Sequence, residues 1–151
     1  MLGWIVYLAA TVLSGLLLAF LYSLFFGGIG KRAEKPLRPM FVCLGITLAG
    51  PFVYCEAITH LYGKEMESEL HECWDDSPLN GPMHSYKIVR YTGKHATAYV
   101  IGKENLVAGI TDDPILQVDL SKHGNHWEAD SCDVLYSYRL NKDGITFPPD
   151  Q

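Results

Sequence analysis

Residues 2–26 read LGWIVYLAATVLSGLLLAFLYSLFF and contain no charged side chain. A helix of this length, at about 1.5 Å per residue, exceeds a membrane hydrocarbon core of about 30 Å. No Lys or Arg precedes the run, and its apolar part is longer than that of a cleaved signal peptide. The stretch therefore predicts a transmembrane helix that stays attached as an anchor.

A second apolar segment occupies residues 40–62, with Glu56 and His60 as its main polar side chains near the end. Between the two segments, residues 27–39 hold four basic side chains and one acidic side chain. Short loops rich in Lys and Arg stay in the cytoplasm. We therefore expect an integral membrane protein with two spans, a cytoplasmic loop and both termini on the extracytoplasmic side.

The chain divides into two chemically different parts, a transmembrane hairpin of residues 1–62 and an extracytoplasmic domain of residues 63–151. The second part carries eight Lys and Arg residues against fifteen Asp and Glu residues, a net charge of −7. Such an acidic surface argues against nucleic acid as a partner. The partners expected are the lipid bilayer and another membrane or extracytoplasmic protein.

One polar cluster is predicted inside the membrane. His60 follows Glu56 by four residues, so both lie on one helix face, and Tyr7 enters from the outer side at a similar depth. An intramembrane carboxylate is a functional hypothesis by default, and Tyr7, Glu56 and His60 could handle protons or a ligand. The alternative is that Glu56 extends to the lipid headgroups and serves only structure.

The domain begins with a predicted helix after Gly63, in which Met66, Leu70 and Trp74 recur on one stripe. A loop with two prolines, an Asn and a Gly follows at residues 77–82. Two β-rich runs, residues 86–91 and 96–101, are separated by a Thr-Gly-Lys turn. This arrangement predicts a β-hairpin.

The next strand, residues 115–121, alternates between apolar and polar side chains, which predicts one face on the core and one in water. A His-Gly-Asn turn leads into a last strand. Its apolar parity changes after Ala129, and this predicts a β-bulge near Asp130 or Ser131. The fold class expected is an α+β membrane protein, with one domain helix against an antiparallel sheet of about four strands.

The strand, the Lys-His-Gly-Asn turn at residues 122–125 and the Trp-Glu-Ala-Asp that follows resemble the ending of small membrane-anchored cystatin-like and NTF2-like domains. The same region is similar to anchored domains of cytochrome-oxidase assembly factors. The resemblance covers residues 66–138 and implies a sheet folded over one helix. Two spans stand where the assembly-factor type has one, and no functional residue carries over.

The four cysteines separate by location. Cys43 and Cys55 lie in the second span and are expected to act as small apolar residues. Cys73, on the predicted helix, and Cys132, on the last strand, would form a disulfide in an oxidising compartment. Free core thiols are one alternative. Zinc is another, since His71, His123 and His126 could join these two cysteines as ligands.

Catalytic motifs are missing from the sequence: it contains no Gly-x-Ser-x-Gly elbow, phosphate-binding loop, dinucleotide fingerprint or His-Glu-x-x-His. The carboxylate pairs at residues 75–76 and 112–113 are adjacent in sequence and therefore point apart. We expect no catalytic activity, no cofactor and no metal.

The function predicted is a membrane-anchored interaction or assembly module. The alternative is a small-ligand-binding domain of cystatin-like or NTF2-like type, and an enzyme or metal-binding protein comes third. A ligand or partner would use a sheet face rich in tyrosines. These are Tyr86, Tyr91, Tyr99, Tyr136 and Tyr138.

Overall fold

The computed structural model describes residues 2–26, 37–105, 111–144 and 146. The chain forms two compact units, one containing Met1–Val53 and the other consisting of Tyr54–Thr146. The first unit holds apolar helices and the second holds the sheet. Of the predicted cytoplasmic loop, residues 27–36 lie outside the described residues, and residues 37–39 already belong to a helix.

Two α-helices account for the helical residues that the structure describes, α1 (Leu2–Phe26) and α2 (Leu37–Asp76). Each is long and apolar enough to cross a membrane, with candidate windows in Ile5–Tyr22 and Phe41–Asp76. By length and composition the two predicted spans are therefore present as helices.

In the first unit, α1 packs against the amino-terminal part of α2 through small and polar side chains. The Tyr7 hydroxyl donates a hydrogen bond to the carbonyl of Leu48, and Tyr7 is fully buried. A Cβ added to Gly15 would lie 3.1 Å from the Thr47 hydroxyl oxygen and 3.3 Å from the Leu44 Cα. Glycine therefore allows the two helix backbones to approach closely, as is common in membrane helix pairs.

The prediction that a separate domain helix begins after Gly63 is wrong, because these residues belong to α2, which runs without interruption from Leu37 to Asp76. The sequence changes from apolar to charged near residue 63, but that change marks new surroundings and not a helix end. Glu, Met and Leu after Gly63 favour helix as strongly as the residues before it. Pro51 is also accommodated within α2.

Within the described residues of the second unit there are seven strands, β1 (Met83–Tyr91), β2 (His95–Gly102), β3 (Glu104–Asn105), β4 (Thr111–Asp112), β5 (Ile115–His123), β6 (His126–Ser137) and β7 (Lys142–Asp143). Five form an antiparallel sheet in the order β1-β2-β5-β6-β7, and β3 pairs with β4 in a separate hairpin. The four predicted strands are β1, β2, β5 and β6. The other three have two residues each, too few for an alternating pattern to show.

The predicted β-bulge is confirmed at Asp130. Asp119 pairs with Ser131 while Leu120 pairs with Ala129, so Asp130 is the extra residue on β6. The turn before β6 is also as predicted. Gly124 has a φ of 67°, a conformation that glycine adopts at little cost.

The core of the second unit lies between α2 and one face of the sheet. From α2 it takes Ile58, Met66, Leu70, Cys73 and Trp74. From the sheet it takes alternate residues, which are Ile88, Ala96, Ala98, Val100, Leu116, Val118, Leu120 and Trp127. The stripe predicted for the helix and the apolar parity of β5 therefore face each other, and Ile58 extends the core beyond the predicted domain start.

Candidate functional site

Cys73 on α2 and Cys132 on β6 are joined by a disulfide, with an S–S distance of 2.09 Å and a Cα–Cα distance of 6.0 Å. The bond fastens the carboxyl-terminal part of the helix to the last long strand. Cys73 is buried, whereas Cys132 is exposed. Cys43 and Cys55 are free cysteines, and Cys55 is buried.

A cleft of about 370 Å³ opens beside this disulfide, between α2 and β6. We call it the acidic cleft. Its lining residues are Glu69, Glu72, Cys73, Asp76, Glu128, Ala129 and Cys132. The three helix carboxylates are spaced by three and four residues, which places them on one side of α2. No Lys or Arg belongs to this lining.

The electrostatic character of the acidic cleft is strongly negative. Four carboxylates surround it, and the last turn of α2, which ends at Asp76, adds the partial negative charge of a helix carboxyl terminus. The site suits a cationic group from another molecule. Within the described part of the chain, no group of three or more His, Cys, Asp or Glu residues is arranged to hold a metal ion.

The alternative zinc site predicted from His71, His123, His126 and the two cysteines has lost its sulfur ligands, because Cys73 and Cys132 are bonded to each other. His123 instead contacts Ser121 and lies 3.9 Å from Glu128.

The sheet face opposite the core carries a hydrogen-bonded polar network centred on Asp119. Thr97 donates to Asp119 Oδ1 at 2.6 Å, and Gln117 and Ser131 donate to Oδ2 at 3.3 and 3.4 Å. All four side chains are half-buried. The network satisfies the carboxylate on this face, so Asp119 is a structural group rather than a free acid or base.

Ser121, His123 and Asp130 form a second polar group on the same sheet. Ser121 donates to Asp130 Oδ1 at 2.8 Å, and its oxygen lies 3.1 Å from His123 Nε2. The Ser121 hydroxyl has one proton, which it donates to Asp130, so in the contact between Ser121 and His123 the Nε2–H of His123 donates to the Ser121 oxygen. A nucleophilic serine needs the reverse arrangement, with histidine accepting its proton. Sequence reasoning missed this group because the bulge at Asp130 brings its members together.

The five predicted tyrosines do not share one face. Tyr86 and Tyr91 pair with core residues of β2 and face α2, whereas Tyr99 and Tyr136 pair with Gln117 and Ile115 on the opposite face. Tyr138 follows β6 and is 74% exposed. The register shift between Ile88 and Arg90 places Tyr86 and Tyr91, which are five residues apart, on the same face, and the register shift in β6 places Tyr136 on the opposite face from Val134.

Two of these tyrosines have perturbed phenol groups. Burial, and secondarily the negative charge of Glu67, raises the pKa of Tyr86 above its ordinary value. Burial also raises the pKa of Tyr136, with further contributions from Asp112, Asp143 and Asp113. Both phenols are therefore held neutral, as expected for packing and hydrogen-bonding residues.

The members of the predicted intramembrane cluster fall in different units. Tyr7 is buried in the first unit with its hydroxyl on Leu48, while Glu56 and His60 belong to the second unit. Both of the latter side chains are exposed on α2. The proton- or ligand-handling role stays a prediction.

An ion pair between the exposed Arg139 and the buried Glu104 ties the short β3–β4 hairpin to the end of the sheet. Arg139 Nε donates to Glu104 Oε1 at 2.7 Å, and Arg139 also donates to the carbonyl of Pro78. Glu104 is 3% exposed, and its second oxygen has no hydrogen-bond partner among the described residues. The pair closes this end of the domain, away from the acidic cleft lining.

Comparison of the chain with known proteins finds no matching family model, no matching curated protein and no matching solved structure. The resemblance to cystatin-like, NTF2-like and assembly-factor domains therefore stays a prediction.

Proposed function

We propose that this chain is a membrane-anchored interaction or assembly module without catalytic activity of its own. Its extracytoplasmic domain binds a positively charged segment of another membrane or extracytoplasmic protein in the acidic cleft. The observation that carries this proposal is the cleft itself, which gathers four carboxylates and no Lys or Arg around the disulfide.

The proposed topology has two spans, a cytoplasmic basic loop and both termini outside. It is supported by the length and apolar character of α1 and α2, and by large side chains such as Leu13 and Ile46 that are exposed on these helices. Exposed leucine and isoleucine at this density suit contact with lipid. The disulfide also fits an oxidising compartment outside the cytoplasm.

The acidic cleft favours a basic peptide segment for two reasons. Its carboxylates lie along about two turns of α2, from Glu69 to Asp76, and face Glu128 on β6, so an extended segment can meet several of them at once. Its walls belong to one helix and one strand that are joined covalently. Exposed ion pairs contribute about 0.2–1 kcal/mol each, so binding should depend on several pairs and weaken with salt.

A small ligand is the second candidate occupant, because the cleft volume of about 370 Å³ falls in the range of ligand sites. Such sites are usually apolar, whereas this one is lined mainly by carboxylates. A small ligand here would have to be cationic. The predicted tyrosines do not contribute to the lining.

The proposal is tested by photo-crosslinking of the full chain in intact membranes. A photoreactive residue replaces Ala129, which lines the cleft, and a control replaces Asn80, which is exposed outside it. We expect a discrete adduct with a second protein from position 129 only. Charge reversal by Asp76→Lys should abolish it, whereas Asp75→Lys, exposed on the same helix but outside the lining, should not.

A labelled hexalysine peptide provides a second readout with purified full-length protein in detergent. It should bind the wild type in a salt-sensitive way and bind Asp76→Asn more weakly than Asp75→Asn, because only Asp76 faces the cleft. The same adduct with both charge reversals, or equal peptide binding by both neutral variants, would contradict the proposal.

A further inference from the structure

The side of β6 that faces away from β5 is only partly covered. In the sheet order β6 lies between β5 and β7, but β7 pairs with Tyr136 and Ser137 alone. Before Leu135, no strand in the described part of the chain pairs with this side of β6. Residues 128–133 therefore form a sheet edge, which we call the open edge.

The row of residues that crosses the sheet at Cys132 shows which way the backbone of Cys132 points. The N–H of Ile88 on β1 points away from β2, because it donates to Thr59 Oγ1 on α2 at 2.8 Å. Ile88 pairs with Ala98 on β2. Ala98 pairs with Val118 on β5, which pairs with Cys132. Hydrogen-bonded and non-hydrogen-bonded pairs alternate along such a row, since each residue bonds to one neighbour only. The N–H and C=O of Cys132 therefore point away from β5.

Ala129 points the same way, as a separate contact shows. The N–H of Lys122 on β5 donates to the carbonyl of Lys94 at 2.7 Å, on the side of β5 away from β6. Leu120, two residues before Lys122, has the same backbone orientation and pairs with Ala129. Among the described residues, neither Ala129 nor Cys132 has a backbone hydrogen bond outside strand pairing. Both residues therefore offer an unpaired N–H and C=O at the open edge.

The acidic side of α2 runs beside the open edge. Glu65 Oε2 lies 3.3 Å from the ring nitrogen of Trp127, and Cys73 is bonded to Cys132. The helix advances by about 12 Å between these two contacts, in the same direction as β6. The acidic cleft lies between helix and strand, and Ala129 and Cys132 belong to its lining. The unpaired backbone groups of the open edge therefore face the acidic cleft.

The open edge lacks most of the devices that keep a sheet from pairing with another chain. Proteins usually protect such edges with lysine, proline or a covering element. The exposed charged residues here are Glu128, Asp130 and Asp133, all acidic. The bulge at Asp130 does not prevent pairing, since β5 pairs with β6 on both sides of it. An added strand can follow the same course.

We propose that the open edge takes up an extended, basic segment of another protein as an additional antiparallel strand. This inference rests on the proposed function, and it specifies how the cationic segment is held in the acidic cleft. Main-chain hydrogen bonds to Ala129 and Cys132 supply affinity, as in other proteins that add a peptide strand to a sheet edge. The added strand is antiparallel because every strand pair among the described residues is antiparallel.

The neighbouring charges define the side chains of the segment. In an antiparallel pair, directly opposite side chains lie on the same face of the sheet. The segment residues opposite Ala129 and Cys132 therefore face α2, where the lining carboxylates are Glu69, Glu72 and Asp76. These carboxylates span about 10 Å of helix, whereas alternate residues of a strand lie about 6.6 Å apart. The segment should therefore carry Lys or Arg at two or three alternate positions.

A second copy of this chain offers no suitable strand. Its own β6 would place Glu128, Asp130 and Asp133 against the same acidic edge, and opposed like charges are destabilising. Its other edge strand, β1, is basic, but the outward N–H of Ile88 is already bonded to Thr59. The occupant that fits is a basic segment of a different protein.

The test uses the full chain in detergent and three forms of the acetylated peptide Lys-Val-Lys-Val-Lys-Val. One form is unmodified, one is N-methylated on the three lysine amides, and one is N-methylated on the three valine amides. The two methylated peptides have the same charge, the same side chains and the same number of methyl groups. They differ only in which edge of the extended peptide can donate hydrogen bonds. Each peptide competes with labelled hexalysine for the protein.

We expect the unmodified and the valine-methylated peptides to displace hexalysine equally well. The lysine-methylated peptide should bind about tenfold more weakly, because its lysine residues lie opposite Ala129 and Cys132 and their N–H groups are the ones that bond to β6. All three peptides should bind Asp76→Asn more weakly than Asp75→Asn, since charge and strand pairing contribute separately.

The outcomes separate strand pairing from the proposed function. Hexalysine that fails to bind the wild type would overturn the cationic occupant itself. Hexalysine that binds but is not displaced by the unmodified peptide, or equal binding by the two methylated peptides, would overturn the strand pairing alone. A loss confined to the valine-methylated peptide would overturn the antiparallel arrangement. A photoreactive residue at position 129 that links two copies of this chain would overturn the choice of a different protein.

Discussion

Reduction of the Cys73–Cys132 disulfide should lower the stability of the second unit by an amount that follows from its position in the chain. The two cysteines are 59 residues apart. Closing a loop of that length removes chain entropy from the unfolded state equivalent to about 4 kcal/mol at 25 °C. For a domain of this size, about 1 kcal/mol corresponds to about 4–8 °C, so the thermal midpoint should fall by roughly 20 °C.

The assay is thermal unfolding of the full chain in detergent, followed by near-ultraviolet circular dichroism. Trp74 and Trp127 both lie in the core of the second unit and report its packing. Comparing the oxidised and reduced wild type keeps both sulfur atoms in place, so the difference isolates the covalent link. The variant Cys43→Ala, which removes a free cysteine from the first unit, serves as a control and should leave the midpoint unchanged.

Two results would refute this reasoning. Alkylation of Cys73 and Cys132 in a freshly isolated, unreduced sample would show that the bond is not formed. A midpoint that falls by less than about 5 °C, equivalent to about 1 kcal/mol, would show that the unfolded chain gains little freedom when the link is broken.

Three further predictions concern single side chains. Thr59→Val removes the acceptor of the Ile88 N–H and should lower the free energy of unfolding, measured by chemical denaturation, by about 1–3 kcal/mol. Thr59→Ser keeps a hydroxyl acceptor and should cost much less. Equal losses of stability in the two variants would contradict the hydrogen bond. Gly102→Ala places a Cβ 2.1 Å from the Trp74 ring, so it should lower the free energy of unfolding by about 1–3 kcal/mol or more. It should also change the near-ultraviolet circular dichroism spectrum, and an unchanged spectrum would be inconsistent with this contact. Hydrogen bonds from Lys122 and Trp127, and the charge of Lys122, lower the pKa of Glu65. The contribution of Glu65 to stability is therefore present above its unfolded pKa of about 4.3 and is lost as the pH falls through the lowered, folded-state pKa. Glu65→Gln should therefore lose less stability than the wild type between pH 5 and pH 3, and equal losses in denaturation midpoint would argue against this pairing.

Several features could be predicted from the sequence because they depend on local patterns. The two apolar segments follow from composition, and both are helices long enough to cross a membrane. The alternation in β5 predicts which of its residues face the core, and the change of parity in β6 predicts the bulge at Asp130. These patterns repeat at the period of one element, so no knowledge of its neighbours is required.

The candidate site was less predictable, because it depends on how elements meet. The tyrosines were expected to enrich one sheet face, but Tyr86 and Tyr91 face the core, whereas Tyr99 and Tyr136 lie on the opposite face, and the register shifts in β1 and β6 contribute to this arrangement. The acidic cleft combines carboxylates of α2 with Glu128, which follows them by more than fifty residues. Its helix carboxylates alone resemble an ordinary solvated face, and only their position beside β6 makes them a concave site.

The sequence by itself determined the chemical division of the chain, since the loss of apolar residues near position 62 is a property of composition. Only the tertiary structure decided what that division means. α2 continues through it to Asp76, and the sheet packs onto the helix from Ile58 onward. The physical reason is that helix formation depends on local backbone hydrogen bonds, which continue across a change of solvent, whereas burial depends on distant strands reaching the same helix.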